Sequence, residues 1–238
     1  MIQEAMTYLD KAPSMDVRLS LLETLRVVTD GKIFVETERA RLTRLLAKIK
    51  EDEGKVAEAA DILQQLQVET LGSMDKKEKT DFILEQMRLL LGKQDYIRMQ
   101  MVSKKINPRY FDKADDEEIQ VRAAPPAPRR GGGPRRVWLI TQRGVDYPTA
   151  MGASQQLKLR FYRLMVEYAN HEELYLDAAS YYRRIYDTPS VQANEDQWTR
   201  VLRGMVIYAV LAPHSNDQSD TLHRTAKEKN LEKLPSMK

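Results

Sequence analysis

The segment Gly54-Lys-Val-Ala-Glu-Ala-Ala60 places a tight turn directly before a helix with a face of small residues. An alanine pair recurs in Tyr175-Leu-Asp-Ala-Ala-Ser-Tyr-Tyr182, and Gly92-Lys-Gln-Asp-Tyr96 repeats the turn. Glycine ends helices readily, and small side chains let antiparallel helices approach closely. The recurrence is typical of tetratricopeptide-like arrays, whose repeats run roughly 34–45 residues. An ordinary helical bundle is the alternative.

Outward from these turns, apolar residues recur every three or four positions, which predicts amphipathic helices. The predicted stripes are Val17–Val28, Leu42–Ile49, Val56–Leu66, Ile83–Leu91, Tyr96–Ile106, Leu157–Tyr168, Leu176–Ile185 and Trp198–Ala212. Gly31, Gly54 and Pro213 are predicted helix stops, and Asn194 is a predicted N-cap. No segment alternates with period two. The sequence therefore predicts an all-α, tetratricopeptide-like helical-repeat solenoid of antiparallel helix pairs, with Leu46 and Leu63 in its core.

The segment Val121–Gln155 differs from both of its neighbours. Its run Ala123-Ala-Pro-Pro-Ala-Pro-Arg-Arg-Gly-Gly-Gly-Pro-Arg-Arg136 interrupts every helical turn and is expected to be disordered. It is interpreted as a flexible linker, as an arginine-rich arm for RNA or an acidic partner, or as a retained intron. The intron interpretation is open because an in-frame unspliced intron would begin with the GT of a Val codon, as at Val121, and end with the CAG of a Gln codon, as at Gln155. The predicted domains are 1–111, N-terminal helical repeats; 112–156, an acidic loop plus the disordered insertion; and 157–238, further helical repeats.

No catalytic, cofactor-binding or metal-binding residues are predicted. The 238 residues include no Cys, which excludes a thiolate metal site and a cysteine nucleophile. His171-Glu-Glu173 lacks a second histidine at helical spacing, and Gly131-Gly-Gly133 lacks the Lys-Ser/Thr of a phosphate loop. The acidic run Asp112–Glu118 lacks the ligand order of a calcium loop. A tyrosine-rich face is typical of core packing: Tyr175, Tyr181, Tyr182 and Tyr186.

The charge distribution disfavours a general affinity for nucleic acid. The net charge is +3, but the arginines of Arg122–Arg143 account for the excess. Glu36 with Arg39, and Glu38 with Arg41, have i, i+3 spacing and are predicted to be surface pairs along one helix.

No apolar run approaches the ~20 residues that cross a bilayer, and residues 1–11 lack the apolar region of a signal peptide. Neither a membrane nor a small-molecule substrate is expected as a partner.

Several strings, in the same order, resemble the non-ATPase regulatory subunit 12 family of the 26S proteasome lid. They are Gly31-Lys-Ile-Phe-Val-Glu-Thr-Glu-Arg-Ala-Arg-Leu-Thr43, Val68–Met74, Phe82–Arg88, Lys104–Pro108, Arg184–Pro189 and Leu211–Pro213. The resemblance covers most of Met1–Phe111 and Leu157–Leu234. It implies a helical-repeat arm leading to a PCI-type winged helix, without catalytic or metal residues.

The resemblance further implies a non-catalytic scaffold of the regulatory-particle lid, in cytoplasm and nucleus, that supports ubiquitin-dependent degradation by contacting other lid subunits. The alternatives are an arginine-rich nucleic-acid-binding adaptor and the paralogous signalosome subunit. Family members have helices before the position of Met1 and continue past that of Lys238. The resemblance therefore implies an incomplete form with an insertion, expected to assemble poorly and to leave the stripe near Trp198–Leu211 partly uncovered.

Overall fold

The structure is a computed structural model that describes residues 2–9, 13–111 and 152–234. Every regular element in these ranges is helical, which confirms the predicted all-α fold. The helices are α1 (Ile2–Leu9), α2 (Met15–Val28), α3 (Glu36–Asp52), α4 (Val56–Gln64), α5 (Lys76–Gly92), α6 (Tyr96–Ser103), α7 (Ala153–His171), α8 (Tyr175–Tyr186), α9 (Pro189–Gln192), α10 (Glu195–Leu211) and α11 (Asn216–Ala226). Short 3-10 turns occupy Ile33–Val35, Val68–Thr70 and Leu231–Lys233.

The chain divides into two compact units, residues 1–106 and 107–238. Within each unit, consecutive long helices pack as antiparallel pairs in a tetratricopeptide-like helical-repeat arrangement. The predicted disordered insertion lies outside the described residues, apart from its C-terminal end. There α7 begins at Ala153, four residues before the predicted stripe at Leu157. Helices α1 and α11 were not predicted.

The first unit contains two hairpins that repeat with a period of 40 residues. Helices α3 and α5 begin at residues 36 and 76, and α4 and α6 begin at residues 56 and 96. The same backbone motif ends α3 and α5. The N–H of Lys55 donates to the carbonyl of Lys50 at 2.9 Å, and the N–H of Asp95 donates to that of Leu90 at 2.9 Å. These 6→1 bonds close the helix ends and send the chain back antiparallel.

The left-handed residue of each turn comes just before the residue that donates this bond. It is Gly54 in the first hairpin, with φ of +81°, and Gln94 in the second, with φ of +64°. The repeated turn is therefore confirmed, but Gly92 is not its left-handed residue. Gly92 is the last residue of α5, where an added Cβ would lie 3.2 Å from Cγ1 of Val56. Glycine there allows the end of α5 to approach the start of α4.

The core of the first unit lies between these helices. Leu63 is fully buried and Leu46 nearly so, as predicted, and Ala59 and Ala60 lie buried where α4 meets its neighbours. The predicted stripe of α2 is partly wrong, because Val17 and Val28 are about half exposed. The buried face of α2 runs through a different set of positions: Leu22, Leu25 and Thr29. Val28 is rotated from Thr29 by about 100°, one helical residue, and so points away from the core.

Three ion pairs join α3 to α5. Arg41 meets Glu78 at 2.7 Å, Arg44 meets Asp81 at 2.6 Å, and Arg88 meets Glu51 at 2.6 Å. Each pair joins residues 37 positions apart (41 and 78, 44 and 81, 51 and 88). The hydrogen bonds that Arg88 donates to Glu51 and Glu85 raise its pKa, while burial opposes the rise. These contacts fix the two parallel helices in one axial register.

The predicted surface pairs along α3 give way to these tertiary contacts. Arg39 forms an ion pair with Asp30, after the end of α2, instead of Glu36. Arg41 donates two hydrogen bonds to Glu78 on α5. A guanidinium that faces a carboxylate on a neighbouring element makes a two-point contact with it, and such a contact is stronger than a single exposed pair on one helix.

The second unit repeats the hairpin with slightly longer spacing. Helices α7 and α10 begin at residues 153 and 195, and α8 and α11 begin at residues 175 and 216. Ala178 and Ala179 are fully buried, as the small-residue face predicted. Helices α8 and α10 approach closely at Gly204, where an added Cβ would lie 2.8 Å from Cε1 of Tyr182. Asn194 caps α10 as predicted, since its side chain accepts from the N–H of Gln197 at 3.2 Å.

A buried glutamine closes a helix end in each unit. The Nε2 of Gln86, on α5, donates to the carbonyls of Leu63 and Leu66 at 2.9 and 3.0 Å. The Nε2 of Gln218, on α11, donates to the carbonyls of Ala209 and Ala212 at 3.1 and 3.2 Å. Carbonyls at a helix C-terminus lack partners within the helix, so the amide of a following helix supplies them. We call these contacts the glutamine clamps.

Candidate interaction surface

The connection between α2 and α3 exposes large apolar side chains. Val27 is 75%, Ile33 75% and Phe34 99% exposed. Gly31, with φ of +67°, turns the chain after α2, and the 3-10 turn Ile33–Val35 leads into α3 with Ile33 and Phe34 directed outward. Clustered exposed apolar residues mark protein contact sites more often than single ones do. We call Val27, Ile33 and Phe34 the α2–α3 apolar patch.

A cleft of about 240 Å³ adjoins this patch along the chain. The end of α2, the first turns of α3 and the segment after α4 form its walls. Its lining residues are Arg26, Glu36, Arg39, Thr43, Gln65, Leu66, Gln67, Thr70 and Leu71. Val27 follows Arg26 directly, and Phe34 precedes Glu36 by two residues, so the patch and the cleft share their supporting segments. We call it the two-arginine cleft.

The charges of the two-arginine cleft are unevenly paired. Arg39 forms an ion pair with Asp30, whose side chain is 66% exposed. Among the described residues, the Nε atom of Arg26 is buried and has no hydrogen-bond partner. Burial lowers the pKa of Arg26 and the nearby positive charge of Arg39 lowers it further, while the carboxylates of Glu23 and Asp30 oppose the decrease. The cleft therefore holds a cation whose hydration is reduced and whose hydrogen-bonding capacity is not filled.

The sequence interpretation did not identify the patch or the cleft. The string Gly31–Thr43 was noted for its resemblance to a family, not for its exposure. A usable signal was present, because Ile33-Phe-Val35 is an apolar tripeptide between two helical stripes and belongs to neither. The unpaired Nε atom of Arg26 has no such signal, since it depends on the packing of α2 against α3.

A second group of exposed apolar residues lies on α10. Ile207, Val210 and Leu211 are each more than half exposed and share one side of the helix at spacings of three and four. The opposite side is buried: Trp198, Leu202, Met205 and Ala209. The predicted stripe of this helix is therefore buried at Trp198, Leu202, Met205 and Ala209, and the exposed apolar residues lie on the other side of α10.

The histidines considered from the sequence form no metal site among the described residues. His171 contacts Glu172, with Nδ1 and Oε1 3.1 Å apart, and His214 and His223 are exposed. Within residues 2–9, 13–111 and 152–234, no group of three or more metal-ligating side chains comes together. The segments Asp112–Glu118 and Arg122–Arg143 lie outside the described residues. Of the described helices, none has the length and apolar character to cross a membrane.

The tyrosines of α8 pack against neighbouring helices. Tyr186 is buried, and Tyr182 stacks on Tyr208 of α10 with ring centroids 5.4 Å apart. The ring centroids of Tyr181 and Tyr162 of α7 are 6.1 Å apart, with the ring planes tilted by 33°. Burial raises the pKa of Tyr181 and of Tyr182. A tyrosine phenol is already neutral at physiological pH, and the raised pKa of both groups reflects their packing among neighbouring helices.

The family model described as PSMD12/CSN4, N-terminal, matches residues 1–122 and 142–194. The chain belongs to this family. The unmatched residues 123–141 include the proline-, glycine- and arginine-rich run of the predicted insertion. Residues 142–156, which were assigned to the same insertion, lie inside the matched region.

Relatives of the chain are named as 26S proteasome subunits. The chain is 44% identical over 238 residues to 26S proteasome non-ATPase regulatory subunit 12 homolog A of Arabidopsis thaliana, covering 100% of the chain and 50% of the relative. It is 39% identical to 26S proteasome non-ATPase regulatory subunit 12 of Dictyostelium discoideum, covering 100% and 44%. It is 40% identical to 26S proteasome regulatory subunit RPN5 of Saccharomyces cerevisiae, covering 99% and 45%. The chain thus spans about half the length of the curated relatives it matches, and the resemblance stated from the sequence is confirmed.

Proposed function

We propose that this chain is a non-catalytic scaffold in the lid of the 26S proteasome regulatory particle. It supports ubiquitin-dependent degradation through contacts with other lid subunits, in cytoplasm and nucleus. The observation that carries the proposal is the membership in the PSMD12/CSN4 family, together with relatives named as regulatory subunits of the 26S proteasome. The partners are proteins, and neither a small-molecule substrate nor a membrane is part of this function.

The geometry of the described units supports a scaffold role. Consecutive antiparallel helix pairs present long lateral surfaces, on which a partner can be bound across several repeats. The three ion pairs between α3 and α5 hold adjacent repeats in register. The α2–α3 apolar patch and the exposed side of α10 provide apolar contact surfaces. Rigid spacing and exposed contact surfaces are what a subunit that positions other subunits requires.

Neither alternative function receives comparable support. The family description names both PSMD12 and CSN4, but the relatives described above carry proteasome names, which favours the proteasome over the signalosome. The nucleic-acid alternative depends on Arg122–Arg143, which lies outside the described residues. Most of that run falls in the stretch 123–141 that the family model leaves unmatched.

We further propose that the three sequence regions keep separate roles. Residues 1–111 and 157–238 supply helical repeats, and the region 112–156 contains an insertion centred on the unmatched stretch 123–141. Sequencing the transcript across the codons for residues 118 to 160 tests the retained-intron interpretation. A spliced transcript without the codons for 123–141 supports it, and a single transcript that keeps them supports a linker.

The scaffold function is tested by affinity purification of the tagged chain from its own cells. The sequence resemblance implied poor assembly, whereas the scaffold proposal predicts that regulatory-particle subunits co-purify with the chain and co-migrate with it on native gels. Phe34→Glu should lower the recovered amount, since it places a charge in the α2–α3 apolar patch without affecting the core. Met15→Glu is the matched control, because Met15 is also exposed and an acid in the first turn of α2 suits the helix dipole. Migration of the wild-type chain apart from every regulatory-particle subunit would refute the proposal.

A further inference from the structure

We propose that the exposed side of α10 binds a helix of another subunit, and that this helix carries two acidic residues three positions apart. The inference deepens the scaffold function and rests on it. The two acids pair with Arg200 and Arg203. Apolar residues further along the same helix cover Ile207 and Val210. We call these four residues of α10 the α10 docking stripe.

The α10 docking stripe combines unpaired cations with exposed apolar surface. Its members follow one another at spacings of three and four residues, which places them along one side of the helix. Ile207 and Val210 are 54% and 62% exposed, and both arginines are exposed. Within the part of the chain that the structure describes, neither guanidinium forms an ion pair or a hydrogen bond. The stripe is therefore open to a ligand that is both acidic and apolar.

The same pair of arginines occurs on α3. Arg41 and Arg44 lie five and eight residues after the first residue of α3. Arg200 and Arg203 lie five and eight residues after the first residue of α10. Helices α5 and α7 also begin hairpins, but arginine occupies neither position in them. The contacts of α3 therefore show what such a pair of arginines binds.

The two helices also turn the same side toward the preceding hairpin. Ile49 lies thirteen residues after the first residue of α3, in one apolar cluster with Leu22 and Leu25 of α2. Tyr208 lies thirteen residues after the first residue of α10 and stacks on Tyr182 of α8. Because these equivalent positions both face the helix before them, the arginines of α10 point toward the side on which α5 packs against α3.

The contact between α3 and α5 defines the occupant. Glu78 and Asp81, three positions apart on α5, pair with the two arginines of α3. The offset of 37 residues holds along the whole contact, so the two helices run parallel. A parallel helix on α10 has its acids opposite Arg200 and Arg203. Its residues seven and ten positions after the first acid then lie opposite the apolar members of the stripe, and complementarity requires them to be apolar.

The described chain turns away from the stripe after α11. Arg183 of α8 forms an ion pair with Glu228 at 2.5 Å, and Nδ2 of Asn230 donates to the hydroxyl of Tyr186 at 2.9 Å. These contacts hold the segment after α11 against α8. Helix α8 packs on the side of α10 that carries Tyr208, away from the stripe. The occupant is accordingly assigned to another protein, as a scaffold that joins subunits requires.

A single thiol in the stripe identifies the occupant. The chain has no cysteine, so Val210→Cys provides one site for a photoreactive cross-linker. The labelled chain is assembled with the other regulatory-particle subunits, irradiated and analysed by mass spectrometry. We expect the label on a helix of another subunit that has acidic residues at i and i+3. Gln192→Cys, at an exposed glutamine of α9, is the matched control and should not label that helix. A label only on the same chain, on a second copy of it or on a helix without such acids overturns the inference.

Charge reversal provides a quantitative readout. Arg200→Glu with Arg203→Glu should reduce incorporation into the regulatory particle at least about tenfold, because both attractive contacts become repulsive. Arg109→Glu with Arg184→Glu, at exposed arginines outside the stripe, changes the net charge equally and should stay within about twofold of wild type. Where the reversal lowers the unfolding midpoint of the free chain, Arg200→Gln with Arg203→Gln replaces it.

A compensating change in the partner completes the test. Replacing both acids of the captured helix by lysine should restore incorporation of the variant with two glutamates. Absence of this rescue, or equal incorporation of that variant and wild type, overturns the inference and leaves the scaffold function intact. Failure of the wild-type chain itself to enter the particle overturns the scaffold function.

Discussion

The glutamine clamp at Gln86 provides a sensitive test of the packing between α4 and α5. Gln86 is 3% exposed and donates both of its N–H groups to the carbonyls of Leu63 and Leu66. Its Oε1 atom is buried and has no partner among the described residues. Gln86→Glu keeps the size of the side chain but removes both donors. The new carboxylate then faces two carbonyl oxygens and finds no donor at either of its own oxygens.

The expected loss of stability follows from these contacts. Each hydrogen bond contributes about 0.5–1.5 kcal/mol net, so two bonds account for about 1–3 kcal/mol. Burial of the carboxylate adds to the loss until the group takes up a proton. We therefore expect Gln86→Glu to lower the free energy of unfolding of the first unit by about 2–4 kcal/mol at pH 7.

The pH dependence of the variant has a defined sign. Burial and the two carbonyls should raise the folded-state pKa of the introduced Glu above its unfolded value of about 4.3. The folded variant then binds more protons than the unfolded one, so its stability falls as pH rises from that value through the folded pKa. Near pH 4.5 the protonated carboxyl donates one hydrogen bond, and we expect the deficit to shrink by roughly half.

Urea unfolding monitored by far-ultraviolet circular dichroism measures the effect at pH 4.5 and pH 7. The wild-type free energy of unfolding is subtracted at each pH, so that only the difference due to the substitution remains. Gln100→Glu, at an exposed glutamine of α6, is the matched control. If Gln86→Glu and Gln100→Glu differ by less than about 0.5 kcal/mol at both pH values, the clamp does not stabilise the helix end and the reasoning fails.

Three further substitutions test the helix contacts by the same unfolding measurement. Gly204→Ala should destabilise the second unit by up to about 2 kcal/mol, because the clash with the ring of Tyr182 outweighs the gain in helix propensity. In a Tyr182→Leu background it should become stabilising, and an unchanged sign there contradicts the proposed contact. Gln94→Gly should stabilise the first unit by about 0.5–1 kcal/mol, since Gln94 has φ of +64°, whereas Gln94→Ala should bring no such gain. Leu63→Ala should cost about 2–5 kcal/mol because Leu63 is 0% exposed, and the exposed Ile97→Ala should stay within about 0.5 kcal/mol of wild type.

Apolar spacing was enough to predict the long helices of the first unit and most of those in the second. It works where a helix buries leucine and alanine, as at Leu46, Leu63 and Ala179. It fails for α11, whose buried residues Gln218 and Thr225 are polar and carry no apolar periodicity. A capping signal was present at Ser215, whose hydroxyl accepts from the N–H of Gln218.

The candidate surface was less predictable than the fold, because exposure depends on which elements pack together. Phe34 has the composition of a core residue and is fully exposed only because its 3-10 turn lies outside the helix pairs. The pairing of Arg39 with Asp30 likewise depends on the path of the chain around Gly31. Spacing along one helix predicted a different partner, Glu36, because local spacing contains no information about the neighbouring element.

The ion pairs between α3 and α5 have a consequence for how one hairpin follows the next. They join residues 37 positions apart, although the helices begin at residues 36 and 76, which are 40 apart. The mismatch of three residues displaces α5 along its axis by about 4.5 Å, or nearly one turn. Arginine lies on α3 in two pairs and on α5 in the third, so the displacement does not come from the longer side chain.

In the other layer of the first unit, one side-chain contact has a mismatch of the same sense. Nη1 of Arg98 on α6 donates to Oε1 of Gln64 on α4 across 34 positions, although these helices also begin 40 residues apart, at 56 and 96. Helices α4 and α6 run antiparallel to α3 and α5. A mismatch of the same sign therefore displaces α6 along its axis in the direction opposite to the displacement of α5. Opposite shifts in the two layers amount to a rotation of the second hairpin against the first. Repeated from hairpin to hairpin, such a rotation is what winds a stack of helices into a superhelix.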